Sequence, residues 1–121
     1  MAKVLIIDDD FMFRVLLCKL IENAGHEVVE AEDGKAGFDA VASESPDLVV
    51  TDMEMPEMTG FELLKALRAE PKNANLPIVV VSAHEVSADR DEAHNLGCTA
   101  YVLKTIAPDD LSARILADLT L

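Results

Sequence analysis

The chain has 121 residues, half of them hydrophobic, with one Tyr, four Phe and no Trp, so it is long enough for one buried core, too short for two, and that core must be aliphatic. Ten basic residues against twenty-three acidic ones leave a formal net charge of -13, which repels nucleic-acid phosphates and anionic lipid and argues against either as a partner. Cys18 and Cys98 form no CxxC pair and are too few for a disulfide framework, so they read as small buried hydrophobes in a reducing compartment.

The apolar run 4–7 ends against Asp8, Asp9 and Asp10 and is too short for a signal peptide or a membrane span; a cytoplasmic protein is the expectation. It reads instead as a first strand. Leu16, Leu17, Leu20, Ile21 and Ala24 follow at helical spacing, and Gly25 stands where that helix should stop. Val28 and Val29 mark a second strand within a weaker segment, and Ala36 with Ala40 and Val41 a second helix. The run 48–50 is a third strand, and Phe61, Leu64 and Leu67 mark a third helix. A longer polar connection, 70–76, reads as a surface loop before the fourth strand at 78–81. Ala93 and Leu96 mark a fourth helix closed by Gly97, and 100–103 is a fifth strand. Leu111, Ile115 and Leu119 mark a fifth helix, opened by Pro108 with Asp109 and Asp110 beside its positive end.

Short, continuous apolar runs rich in β-branched residues are what strands buried on both faces of a parallel sheet show, and strict strand–helix alternation requires right-handed crossovers. The expected fold is therefore α/β, a three-layer α/β/α sandwich with five parallel strands, in one domain over residues 1–121. In such a sheet, ligands sit beyond the carboxyl ends of the strands. Asp8, Asp9 and Asp10 follow the first strand, Asp52 the third, Ser82 the fourth and Lys104 the fifth. Asp10 reads as a helix cap, and because one residue suffices for that duty, Asp8 and Asp9 are left without it. Taken singly, Asp52 also suits a turn, Ser82 a cap and Lys104 a solvated strand end. Their coincidence at one edge of the sheet is what points to chemistry.

Two carboxylates converging there, one from Asp8 or Asp9 and one from Asp52, would repel by about 4 kcal/mol at a separation of about 4 Å and an effective dielectric of about 20. Lys104 supplies one compensating charge, and a hard divalent ion such as Mg²⁺ suits the all-oxygen set; no His or Cys stands at these strand ends, which argues against zinc. A carboxylate, a metal, a hydroxyl and a lysine are the parts that move a phosphoryl group: a nucleophile, a charge neutraliser and two donors for the equatorial oxygens. Asp52, alone on its strand end, is the better nucleophile candidate, whereas Asp8 and Asp9 are paired as metal ligands would be.

The stretches 4–9 (VLIIDD), 47–52 (DLVVTD) with Met55, Pro56 and Gly60 downstream, 81–83 (VSA) and 100–104 (AYVLK) together resemble the response regulator receiver family, over essentially the whole chain. The resemblance implies a flavodoxin-like fold with strand order 2-1-3-4-5. It also implies phosphorylation of Asp52, Mg²⁺ held by Asp8, Asp9, Asp52 and the backbone carbonyl of Glu54, and phosphoryl binding and switching by Ser82, Ala83, Lys104 and Tyr101. The donor would be a phosphohistidine on a sensor histidine kinase or a histidine phosphotransfer protein. The acyl phosphate would later hydrolyse, making the chain a phosphoacceptor rather than a turnover enzyme. Ser82 moving toward the phosphoryl group, with Tyr101 turning into the vacated space, would alter the helix 4, strand 5 and helix 5 surface that meets a downstream effector.

Two positions depart from the family pattern. Thr105 stands where a cis proline is usual, and since a non-proline cis bond costs about 3–4 kcal/mol, Lys104 either bears that strain or reaches the site by a trans route. Thr59 replaces the acidic or amide residue common before Gly60, which bears on how the next helix is capped. Glu54 and His84, two residues beyond Asp52 and Ser82, are expected to border the path of attacking water and tune dephosphorylation. Three rival functions use a similar frame. A Mg²⁺-dependent aspartyl phosphohydrolase needs an enclosing cap for which no segment is long enough, and an FMN carrier needs aromatic stacking partners that are scarce here. A pseudo-receiver would act as an interaction module without being phosphorylated.

Overall fold

A computed structural model describes residues 1–83, 87–117 and 119. The strands are β1 (Lys3–Ile7), β2 (Glu27–Ala31), β3 (Leu48–Asp52), β4 (Ile78–Ser82) and β5 (Ala100–Leu103). They alternate with α1 (Phe11–Asn23), α2 (Gly34–Glu44), α3 (Gly60–Arg68), α4 (Ser87–Asn95) and α5 (Pro108–Leu116). Every strand pairing is parallel and the sheet order is β2-β1-β3-β4-β5, the expected flavodoxin-like sandwich.

Burial explains why the strands read as they do. β3 and β4 are buried at every position, so no residue in either can be polar without a duty, whereas β2 at the edge carries exposed Glu27 and Glu30 and is the weakest run in the sequence. Alternation sorts the side chains into two cores. Leu5, Ile7, Val49, Ile78, Val80 and Tyr101 pack with Val41, Leu63, Leu64, Leu67 and Ala93 of α2, α3 and α4. Val4, Ile6, Val50, Val81 and Val102 pack with Leu17, Ile21, Leu111 and Ile115 of α1 and α5. Each fully buried Leu or Ile contributes about 1.5–3 kcal/mol relative to exposure. Cys18 and Cys98 are both free and buried, and burial is the main reason their thiols are pushed up to about 11.

The helix ends follow local chemistry. Asp10 caps α1, its carboxylate accepting from the N–H groups of Met12 at 3.1 Å and Phe13 at 3.3 Å. Gly25 and Gly97 adopt φ of 95° and 100° just past α1 and α4, a left-handed turn that a side chain would resist. Thr59 makes a full capping box with Glu62, so this departure from the family pattern supplies a cap.

Two expectations need correction. Residues 70–76 are not simply a surface loop: Pro71–Asn73 form a 3-10 turn, and Asn73 is buried, its amide donating to the Leu67 carbonyl at 3.1 Å while Arg68 donates to its carbonyl. Satisfied hydrogen bonds are what let a polar residue sit there. The fifth helix ends at Leu116 rather than reaching Leu119, whose half-buried side chain still packs on the α1/α5 core. Among the described residues no peptide bond is cis, so Lys104 is held by the trans route. No helix of the described residues is long and apolar enough to cross a membrane.

Candidate functional site

Sheet register assembles the site. Ile7 lies opposite Thr51, Asp52 opposite Val81, and Ser82 opposite Leu103, so Asp8, Asp52, Ser82 and Lys104 arrive at one carboxyl edge of the sheet. Alternation then divides them. Asp8, Asp52 and Lys104 share the parity of Ile6, Val50 and Val102 and so point to the α1/α5 side, while Ser82 shares the side of Val80 and Tyr101.

One carboxylate oxygen from each of Asp8, Asp9 and Asp52 lies within 4.8 Å of the other two. Lys104 Nζ is 3.0 Å from Asp8 Oδ2, 3.5 Å from Asp52 Oδ1, and 4.4 Å above the centroid of the Phe13 ring. One ammonium therefore faces three carboxylates, and the excess negative charge in an all-oxygen set of this span fits Mg²⁺. Asp8 is 1% exposed and is held on all sides: its N–H donates to Ala31 O, Oδ1 accepts from the Asp10 N–H at 2.9 Å, and its carbonyl accepts from Arg14. Asp52 is buried, and its Oδ1 accepts from the Met53 N–H at 2.8 Å.

Asp9, Asp52, Glu54, Ser82, Ala83 and Lys104 line one cleft of about 270 Å³, together with Asp10. Glu54 and Ala83 are exposed at this cleft and Ser82 is buried in its wall. The Lys104 N–H donates to Ser82 O at 2.8 Å, which ties β5 to β4 at the point where the lysine leaves the sheet. Tyr101 is not among the lining residues; it is buried against α4, with the Arg90 guanidinium 5.7 Å from its ring centroid. His84 lies outside the described residues. A larger cleft of about 450 Å³ lies at the opposite end of the sheet, near Pro46 and Pro77, and among the described residues it gathers no carboxylates.

Three contributors escape a reading of the sequence alone. Phe13 supports the Lys104 ammonium, Arg14 grips the Asp8 carbonyl, and the Met53 N–H orients Asp52. Phe13 and Arg14 sit three and four residues past the Asp10 cap, a spacing that any amphipathic helix shows, so nothing marks them until the chain is folded.

Burial, and next the charge of Asp8, push the Asp52 carboxyl up to about 6, against the opposing pull of Lys104 and the Met53 N–H. Burial alone would lower the Lys104 ammonium, but its hydrogen bond to Asp8 and the charges of Asp52 and Asp8 outweigh that and raise it. An acid with a folded pKa above its unfolded value binds more protons when folded. Its ionisation therefore opposes folding between about pH 4 and 6, and the full penalty is present above that window. In metal-free protein, Asp52→Asn is expected to raise stability at pH 7.5 by about 1–2 kcal/mol after allowance for solvent screening, an advantage that shrinks toward zero at pH 4. Urea denaturation in chelator at both pH values checks this; an equal difference at the two would contradict the assigned environment.

Comparisons with known proteins agree with this geometry. Residues 4–116 match the family model described as response regulator receiver domain. The protein "Probable transcriptional regulator ycf27" of Cyanophora paradoxa is 36% identical over 113 residues, which is 93% of this chain and 46% of that protein. The polar-differentiation response regulator DivK of Brucella anthropi is 30% identical over 86% of this chain and 85% of its own. The chemotaxis response regulator CheY4 of Vibrio cholerae superposes with a TM-score of 0.90 at 29% identity, covering 99% of both chains. This chain thus spans under half the length of some relatives, such as the ycf27 protein, and nearly all of others. Three carboxylates and a lysine at the carboxyl edge of a 2-1-3-4-5 sheet, matched from residue 4 to residue 116, make the chain a member of the response regulator receiver domain family.

Proposed function

We propose that residues 1–121 form one receiver domain that accepts a phosphoryl group on Asp52 from a phosphohistidine of a sensor histidine kinase or histidine phosphotransfer protein. The observation that carries this is the juxtaposition of Asp52 with Asp8, Asp9 and Lys104 in one cleft: a nucleophile beside metal ligands and a cation. An Asp52 oxygen attacks phosphorus, the P–N bond to the donor imidazole breaks, and the electron pair leaves on the imidazole nitrogen. Lys104 and Ser82 then donate to the phosphoryl oxygens. Asp8, Asp9, Asp52 and the Glu54 carbonyl would hold Mg²⁺, which when bound neutralises charge on the transferred group. Water entering past Glu54 later cleaves the acyl phosphate, so the protein is consumed and regenerated as a phosphoacceptor instead of turning over a substrate.

Ser82 and Tyr101 share one face of the sheet, which supports a switch in which the hydroxyl turns to the phosphoryl group and the ring follows, altering the α4, β5 and α5 surface offered to an effector. Glu54 is exposed at the mouth of the cleft, which supports a part in setting the lifetime of the phosphorylated form; the same part assigned to His84 concerns a residue outside the described ones. Among the described residues no aromatic side chain lines the cleft, which disfavours FMN.

Incubation with acetyl phosphate and Mg²⁺, followed by intact mass, tests the proposal. One added phosphoryl group per chain, lost on chelation of the metal before donor addition, is the expected result. An unchanged mass would favour a pseudo-receiver, and continuous release of phosphate from unrelated phosphoesters a hydrolase.

A further inference from the structure

We propose that Arg14 is a positioning residue for the metal-binding pair Asp8 and Asp9, acting through the backbone between them; this rests on the reading that Asp8, Asp9 and Asp52 hold Mg²⁺. Arg14 stands in the first turns of α1, yet its side chain is only 11% exposed, unusual for a cation at a helix start. Its Nη1 donates to the Asp8 carbonyl at 2.6 Å and its Nε to Glu30 Oε1 at 2.9 Å, with the guanidinium carbon 5.5 Å from the centroid of the Phe11 ring. The planar fork thus spans the β1–α1 loop and the edge strand β2 in one fixed geometry that a lysine cannot copy.

Asp8 is tied to β2 a second time, through its N–H to the Ala31 carbonyl at 3.1 Å. Both peptide groups flanking the Asp8 Cα are therefore anchored to the same strand, one directly and one through Arg14 and Glu30. The Asp8–Asp9 peptide plane sets where the Asp9 Cα–Cβ bond points, and Asp9 is the exposed member of the carboxylate cluster. An ion pair whose carboxylate partner, Glu30, is half exposed would by itself be worth little, and it would not require a guanidinium N–H aimed at the loop carbonyl.

Charge and orientation make opposite forecasts here. Removing a nearby cation relieves repulsion of Mg²⁺ and would tighten binding, whereas releasing the peptide plane loosens the ligand set and weakens it. Outer partners that orient ligands change metal affinity by about 10–100-fold when removed. Isothermal titration of Mg²⁺ into parent, Arg14→Met and Arg14→Lys proteins, each checked for native circular dichroism, decides between the two. The expected result is affinity about tenfold weaker in Arg14→Met and also weaker in Arg14→Lys, which keeps the charge but not the fork. Affinity equal to or greater than the parent's in either folded variant overturns the assignment, whatever happens to thermal stability. Should Arg14→Met lose its fold, Arg14→Lys decides the matter alone by the same criterion. A parent protein that takes up no Mg²⁺ would sink the metal assignment itself, and the role of Arg14 with it.

Discussion

Asp52→Asn is expected to abolish labelling by acetyl phosphate, lowering the initial rate by at least about 10³-fold, because an amide oxygen is no substitute for a carboxylate attacking phosphorus. The change is nearly isosteric, and the hydrogen bond from the Met53 N–H to the side-chain oxygen can persist, so loss of labelling does not reduce to loss of fold. Other carboxylates border the same cleft, Asp9 and Glu54 among them, and each is a conceivable stray acceptor. Neither has Asp52's position, buried at a strand tip with the Lys104 ammonium 3.5 Å away. Rates are read by intact mass at saturating Mg²⁺; labelling of the variant at more than about a tenth of the parent rate contradicts Asp52 as the acceptor.

Gly60→Ala is expected to cost about 2–4 kcal/mol of stability and to disturb Asp52 at the same time. Gly60 opens α3 directly against the end of β3: its N–H donates to Met53 O at 2.7 Å, and a Cβ there would stand 2.6 Å from Asp52 O and 2.8 Å from Met53 Cα. Those are backbone atoms at the end of a strand buried at every position, so they have no room to retreat. Either α3 moves outward or the tip of β3 moves, and a displacement of about 1 Å at a reacting group costs up to about 10²-fold in rate. Urea denaturation and initial labelling rates measure both effects. A variant within about 0.5 kcal/mol of the parent, labelled at the parent rate, would show that this close packing does not hold the site.

Much of this was legible from the sequence because each chemical residue ends an apolar run. Asp8, Asp52, Ser82 and Lys104 sit at carboxyl strand ends, and in a parallel sheet all such ends face one way. Asp10 as a cap and Gly25 and Gly97 as stops follow from local backbone chemistry, which needs no tertiary partner. What was not legible depends on pairings distant in sequence. Arg14 meets Glu30 only because β1 and β2 pair with Lys3 opposite Glu27, and Lys104 lies over Phe13 only because its side chain leaves β5 on the side of the sheet that α1 covers. Asn73 escaped notice for the same reason: a polar residue in a polar stretch gives no sign that the Leu67 carbonyl will receive it. The trans bond after Lys104, by contrast, is the ordinary state of a non-proline peptide bond and needs no tertiary partner.

Crystallisation with Mg²⁺ and beryllium fluoride, which mimics a phosphoryl group on a carboxylate, would bring acceptor, metal and lysine into one observation. The expected density is one ion among the oxygens of Asp8, Asp9 and Asp52, and a fluoroberyllate on an Asp52 oxygen within hydrogen-bond reach of Lys104 Nζ. An adduct on Asp9 or Glu54, or an ion bound away from Asp52, would contradict the assignment of Asp52 as the residue that receives phosphorus.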